Sequence, residues 1–373
     1  MTRSWFPLLL LFGNNMFDKL ITLLRIARIE LNPKEKQAVC SNVADAEEFF
    51  SLTDEELKEF HFTLGEIQKF HFYKDADLSQ DAETVKKLGV KLISVWDEEY
   101  PKRLKEIYDP PLVLYVMGEI PSDNNMFIGV VGSRNCNQYG KTACELVTGK
   151  LASNGVVIVS GGAYGIDSVA HRITLSVKGK TVAVLGCGID VPYPAANADL
   201  FKEIAENGGA VISEAPLGCQ PMPYRFPVRN RIISGLSDGV LVCQAPVASG
   251  SLITAGCALE QGKEVFAIPG NITEKKSSGC NKLIKDGAVL VNSADDIMNE
   301  FNLELAEERD TLNFLQDEKE IALYELLSLE PVHIDALADK SGMDIVTVKS
   351  TLMMMEINGY VKSVPVNCYI RSK

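Results

Sequence analysis

The chain has 373 residues, 46% of them hydrophobic, which suits two or three packed domains and excludes a largely disordered protein. Its formal net charge of −13 would argue against a polyanionic partner if it were evenly spread. It is not: residues 45–59 carry −6 and residues 295–320 carry −8, leaving the rest close to +1, so a basic groove for nucleic acid stays open.

At the N-terminus, Arg3 precedes an apolar run over residues 5–12 that is too short to span a bilayer and lacks a small-x-small cleavage site. Met16 reads as an alternative start, and residues 1–15 as an upstream extension with no targeting role. No other segment is a membrane candidate. Residues 20–72 read as short amphipathic helices, with Ser51-Leu52-Thr53-Asp54-Glu55-Glu56-Leu57 carrying a helix N-terminus signature. A helical domain over residues 16–85 is expected. Residues 90–96 then read as a strand, followed by Tyr100-Pro101 and Asp109-Pro110-Pro111, whose prolines impose an extended course.

From residue 127 the pattern changes. Short β-branched runs recur at 128–131, 156–159, 181–185, 210–212, 240–242, 265–268 and 289–291. Helix-like stretches at 139–154, 166–177, 198–206 and 251–261 alternate with them. Continuous apolar strands alternating with helices indicate a parallel sheet covered on both faces. The predicted class is therefore α/β, a doubly wound and mostly parallel sheet whose domain spans residues 90–298. An acidic linker is expected at 299–317. Helical apolar spacing and a terminal hairpin around Asn367 then predict a winged-helix module over 318–373.

In such a sheet, ligands bind at the carboxyl ends of the strands, and the unusual residues fall there. They are Gly132-Ser133-Arg134, then Ser160-Gly161-Gly162-Ala163-Tyr164-Gly165-Ile166-Asp167, Gly186-Cys187-Gly188, Ser213-Glu214, Gln244-Ala245 and Ser249-Gly250-Ser251. Glycines admit an anion to backbone amides, and Ser and Arg add donors for phosphate oxygens. One Gly-Gly turn is explained by turn geometry alone, but several at successive strand ends make a phosphate-binding rim. Residues 220–233 add three arginines and no acid, in Arg225-Phe226-Pro227-Val228-Arg229-Asn230-Arg231. An aromatic among arginines stacks on a base while the guanidiniums hold phosphates. The competing reading is a solvated arginine face with Phe226 in the core.

Other chemistries find less support. Gly140-Lys141-Thr142 fails as a P-loop because position 135 is Asn, and Gly179-Lys180-Thr181 fails because position 174 is Thr. The dinucleotide fingerprint is absent at the first parallel strand. The polar candidates for catalysis are Asp167, His171, Asp190 and Glu214, with no nucleophile-elbow or metal signature beside them. Asp167 suits a helix cap or loop anchor, and Asp190 and Glu214 equally suit loop-amide anchors. Nine cysteines without a C-x-x-C pair, and four histidines apart from them, argue against zinc and for buried thiols in a reducing compartment. No cofactor or metal is expected.

In this order and spacing the motifs resemble the DprA/Smf family, which processes incoming DNA in natural transformation. The match runs from Tyr100-Pro101 through the motifs above, with Tyr193-Pro194, Ser251-Leu252-Ile253-Thr254 and Pro269-Gly270, over about residues 90–292. The resemblance implies an extended Rossmann-like fold that binds single-stranded DNA, forms a homodimer and helps load the RecA recombinase in the cytoplasm, without catalysis. It also implies an N-terminal helical domain of the SAM or helix-hairpin-helix kind and a C-terminal winged helix. By motif position, the DNA groove would be lined by Ser133, Arg134, Ser160, Gly161, Gly162, Phe226, Arg229, Asn230, Arg231, Ser249, Gly250 and Ser251, with Arg225 beside them. Two positions depart from the pattern. Gln244 stands where relatives commonly carry Glu, which weakens a catalytic role there. Pro223 stands where a basic residue is often found, and Arg225 is the substitute. The alternatives are a nucleotide hydrolase of the LOG phosphoribohydrolase kind, whose P-G-G-x-G-T-x-x-E run is absent, and a duplex-binding regulator acting through the winged helix. Residues 333–373 hold five bases and four acids, a feeble footprint for duplex DNA.

Overall fold

The computed structural model describes residues 6–303, 317–328 and 331–371, with backbone alone for residues 6–16. Two units separate at residue 304, each with its own hydrophobic core.

The first unit opens with α1 (Phe6–Ala27), α2 (Pro33–Asn42), α3 (Ala46–Phe49), α4 (Asp54–Glu59), α5 (Leu64–Lys74) and α6 (Ser79–Lys87). Met16 lies inside α1. Capping boxes start three of these helices: Asn32 with Glu35, Thr53 with Glu56 and Thr63 with Glu66. Each satisfies two otherwise orphaned amides reciprocally, which is how such short helices hold their ends. Their inner faces bury Phe49, Leu57, Ile67 and Phe70, with Phe49 and Phe70 packed edge-on at 5.3 Å.

The sheet follows. Its elements are β1 (Val90–Ser94), α7 (Lys102–Lys105), β2 (Val113–Gly118), β3 (Phe127–Val131), α8 (Gln138–Ser153), β4 (Val157–Ser160), α9 (Ile166–Ser176) and β5 (Thr181–Leu185). Then come α10 (Ala198–Glu206), β6 (Ala210–Ser213), α11 (Arg225–Leu236), β7 (Gly239–Val242), α12 (Ser251–Glu260), β8 (Glu264–Ala267), α13 (Ser278–Lys285), β9 (Val289–Leu290) and α14 (Ala294–Glu300). The nine strands lie in the order β1-β2-β6-β5-β4-β3-β7-β8-β9. Those from β3 to β9 run parallel, while β1 and β2 add an antiparallel edge through the pairing of β2 with β6. Strands β3 to β7 are buried along their whole length, the pattern of a sheet covered on both faces. The chain winds outward from β3 through β4, β5 and β6, then returns to β7 on β3's other side. The direction reverses between β3 and β7, where a crevice opens at the carboxyl ends.

Strand β2 and helix α11 went unread in the sequence, as did α7, α13 and α14. Strand β2 hides behind Pro110 and Pro111, whose extended course continues straight into it. Helix α11 is buried from Arg229 to Leu236 on every side, so it shows no amphipathic stripe. Its Pro227 sits in the first turn, where the missing N–H has no helical partner to lose.

The second unit holds α15 (Glu318–Leu326), β10 (Val332–His333), α16 (Ile334–Ser341), α17 (Ile345–Ile357), β11 (Val361–Val364) and β12 (Cys368–Arg371), with strand order β10-β12-β11. Leu323, Leu337, Val348, Leu352 and Met355 form its core, the arrangement of a winged helix. Most of the acidic linker expected at 299–317 lies outside the described residues.

Candidate nucleic-acid interface

A cleft of about 580 Å³ opens at the switch point. One wall is the turn after β3, with Ser133, Arg134 and Asn135. The opposite wall is the β7–α12 turn, with Pro246, Ser249, Gly250 and Ser251. Phe226, Pro227, Arg229 and Asn230 of α11 line it from the side, and Asp167 of α9 also faces it. The walls are tied together, since the Ser133 amide donates to the Gln244 carbonyl at 2.7 Å.

The exposed cation of the cleft is Arg134. Its guanidinium stands 5.0 Å above the Phe226 ring, and that ring lies 5.6 Å from the Tyr193 ring. An exposed guanidinium over a half-buried ring caps its face, so a base that stacks here lies on the guanidinium plane or takes its place on the ring. On the far wall the Ser249 and Ser251 hydroxyls hydrogen-bond to each other at 2.8 Å. Helix α12 starts there without a side-chain cap, so its positive end meets the cleft.

Arg229 faces the cleft but is not a solvated hook. It is 6% exposed, and its Nη1 donates to the Gly161 carbonyl at 2.7 Å and to the Val184 carbonyl. Burial lowers its pKa to about 10, with the positive charge of Arg134 adding to the shift and Asp167 opposing it. The group remains charged at neutral pH. Burial likewise pushes the Asp167 carboxyl up, while Arg229 opposes the shift. A Cβ on Gly161 would stand 2.6 Å from the Arg229 guanidinium and 2.7 Å from the Asp167 carboxylate. This glycine is therefore required by the packing of Arg229. Gly165, at φ +77°, is required in a second way, since a Cβ would meet the Ser133 carbonyl at 2.3 Å.

Five of the expected groove residues lie elsewhere. Ser160 is fully buried and donates to the Val130 carbonyl at 2.6 Å. Gly162 is packed against Phe201, and its carbonyl accepts from Asn197. Gly161 borders a small recess beside the cleft, between Arg134 and Tyr193. Arg225 turns away, with its guanidinium 5.2 Å from the Tyr224 ring and 3.6 Å from the Glu30 carboxylate of the N-terminal helices. Arg231 is occupied by carboxylates: Nε donates to Asp109 at 2.6 Å and Nη2 to both oxygens of Glu214 at 2.8 and 2.9 Å. Lys36 completes this cluster, 2.9 Å from Asp109 and 2.8 Å from Glu214. Arginine count alone could not separate Arg134 from Arg231, because the carboxylates that claim Arg231 lie 122 and 17 residues away.

The other polar candidates are structural neighbours. His171 has no exposed surface and contacts the Thr181 hydroxyl at 2.8 Å. Burial, aided by the Arg229 charge, lowers its pKa to about 3, so it is neutral. Both Asp190 oxygens accept from the Gly218 amide at 2.9 Å. Burial opposes ionisation of Glu214, but Lys36 and Arg231 outweigh it and bring its pKa down to about 2. Gln244 is fully buried; its side chain accepts from the Asn137 amide at 2.9 Å and donates to the Asn137 side chain at 2.8 Å. Of the thiols, Cys144, Cys187, Cys243 and Cys280 are buried and the other five half-buried, so the expectation of buried thiols applies to only some of them. Asn135, Tyr193, Pro221 and Thr254 line the cleft without having been singled out as groove residues. Tyr193-Pro194 was visible as a motif, but nothing in its composition placed it beside Phe226.

The family profile described as DNA recombination-mediator protein A matches residues 91–302, and that of the DprA winged helix domain matches residues 304–365. Protein Smf of Escherichia coli is 39% identical over 317 residues, covering 83% of this chain and 85% of that protein. DNA processing protein DprA of Streptococcus pneumoniae is 44% identical over 235 residues, 63% of this chain and 81% of that one. The X-ray structure of the Streptococcus pneumoniae protein superposes with a TM-score of 0.64 at 37% identity, over 76% of this chain and 97% of that one. DNA processing protein A from Helicobacter pylori, whose structure is described for its single-stranded DNA binding mode, superposes at 0.51 and 31% identity over 57% of this chain and 95% of that one. With the switch-point cleft, the Phe226–Arg134 pair and the winged helix in place, the chain belongs to the DNA recombination-mediator protein A, or DprA/Smf, family.

Proposed function

We propose that this chain grips single-stranded DNA in the switch-point cleft as a non-catalytic mediator, protecting incoming DNA and helping to load RecA. The observation that carries this reading is the Arg134 guanidinium above the Phe226 ring at the mouth of a cleft rimmed by hydroxyls and a helix N-terminus. Such a surface takes a base on the ring and phosphate oxygens on the donors, with no demand on base identity. A non-catalytic role is supported by the occupation of three of the four polar candidates; the fourth, Asp167, faces the cleft with its carboxylate accepting from the Ala163 amide. Asp190 holds a loop amide, Glu214 is paired, and His171 is enclosed. The Helicobacter pylori relative's single-stranded DNA binding mode supports the ligand class. Transfer to RecA, a homodimer and a cytoplasmic location rest on family membership alone. Among the described residues, no helix is long and apolar enough to cross a membrane.

The test is a fluorescence-anisotropy titration of labelled poly-dT at several salt concentrations, with a matched duplex as control. Each phosphate neutralised on a single strand contributes about −0.7 to the slope of log K against log salt. Arg134→Glu is expected to weaken binding at least tenfold without lowering the melting temperature, because Arg134 is exposed. Unchanged affinity, or equal affinity for duplex, would overturn the reading.

A further inference from the structure

Beside the cleft lies a second cavity, of about 400 Å³, that the reading above does not use. Its walls are Tyr139 at the start of α8, Pro269 and Asn271 after β8, and Asn137, Glu274 and Ser277. The two cavities share the turn after β3: Asn135 belongs to the cleft and Asn137 to the slot, with Cys136 between them.

The slot is preorganised. The Tyr139 hydroxyl donates to the Pro269 carbonyl, which fixes a ring that is still 47% exposed. The Asn137 side chain donates to Glu274 at 3.1 Å and accepts from Gln244 at 2.8 Å and from the Gly140 amide at 3.0 Å. The other Glu274 oxygen accepts from the Lys276 amide at 2.9 Å. Flat apolar walls with a few fixed polar groups are the usual make-up of a small-ligand site. A carboxylate in the wall disfavours a phosphate inside but accepts from the N–H edge of a base. Phosphate donors stand outside instead. The segments that wall the slot also carry Lys141, exposed two residues beyond Tyr139 on α8, and Lys276, half-buried two residues beyond Glu274. Among the described residues, neither ammonium has a carboxylate partner.

Given the single-strand reading of the cleft, on which this step rests, we infer that the slot is a second base-binding subsite of the same strand. The base stacks on Tyr139, and Lys141 and Lys276 hold the phosphates that cross the turn.

The experiment compares the full chain's affinity for oligo-dT of about 16 nucleotides (the long strand) and for thymidine 3′,5′-bisphosphate (the short one), whose single base cannot fill cleft and slot together. Tyr139→Ala is expected to weaken binding of the long strand by about 5- to 100-fold, the loss of one stacked base, and to leave the short one unchanged. Tyr139→Phe, which keeps the ring but loses its hydroxyl anchor on Pro269, should bind the long strand more tightly than the alanine variant does and the short one as the parent does. Replacing Lys141 and Lys276 by alanine should flatten the long strand's salt slope by about 0.7 for each, and the short strand's not at all. A Tyr139→Ala chain as tight as the parent on the long strand would overturn the subsite, as would equal losses on both strands. Tyr139-dependent binding of free thymidine monophosphate without any effect on the long strand would also overturn it, assigning the slot to a free nucleotide. A parent chain that binds neither strand would instead overturn the reading of the cleft itself.

Discussion

Arg134, Arg229 and Arg231 differ in what surrounds them, and that difference decides what each does. Arg134 is exposed above Phe226 and is available to a ligand, Arg229 is bonded to two carbonyls in the floor, and Arg231 is claimed by Asp109 and Glu214. Removing one member of a buried charge cluster leaves its partners uncompensated. Arg231→Ala is therefore expected to cost about 3–5 kcal/mol of stability, visible as a large drop in denaturation midpoint, whereas Arg134→Ala should change it little. A pH dependence follows from Glu214. Its folded pKa, about 2, lies below the ordinary 4.5, so the unfolded chain binds the proton more readily. The stabilisation is fully present above pH about 4.5 and is lost as pH falls towards about 2. Glu214→Gln should flatten the acid side of the stability curve over that window in chemical denaturation; an unchanged acid limb would show that the cluster contributes nothing there.

Among the elements, α11 does two jobs. Its N-terminal end brings Phe226 and Asn230 to the cleft, while Arg231, one residue beyond Asn230, fastens the helix to β6 through Glu214 and to α2 through Glu214 and Lys36. Nearly every side chain of its C-terminal half is enclosed, which holds the cleft-lining residues in register. The same enclosure erased the periodicity by which the helix could have been read. In the winged helix, α17 opens on Asp344, whose carboxylate accepts from the Val346 and Thr347 amides at 3.0 Å. An acid already occupies the position where a phosphate would meet the helix N-terminus. Beside exposed Lys349 and Ser350, its surface carries Val346, Met353, Met354 and Ile357, which offer no donors to base edges. A chain ending after residue 303 is expected to keep its affinity for poly-dT within about threefold; a tenfold loss would make the winged helix part of the DNA site.

Across the whole molecule, alternation of apolar strands and helices was enough to specify a doubly wound sheet, because a parallel strand buried on both faces leaves a continuous apolar run and its crossover helix an amphipathic one. The Thr53–Glu56 capping box was equally legible as a helix start, since its partners sit three residues apart. So was the concentration of Gly, Ser and Arg at the strand ends, and with it the neighbourhood of the cleft. Long-range pairing was not legible. Nothing local distinguishes an arginine that meets solvent from one whose carboxylate arrives from 122 residues away. Nor does the sequence show that Gly161 makes room for Arg229, that Tyr193 comes to rest beside Phe226, or that Tyr139 and Pro269 enclose a second cavity next to the first. Strands and caps follow from periodicity and short-range hydrogen bonding, which the chain carries in its own order. Which cations stay free is settled by desolvation and charge pairing between distant segments, and these exist only once the sheet has brought those segments together.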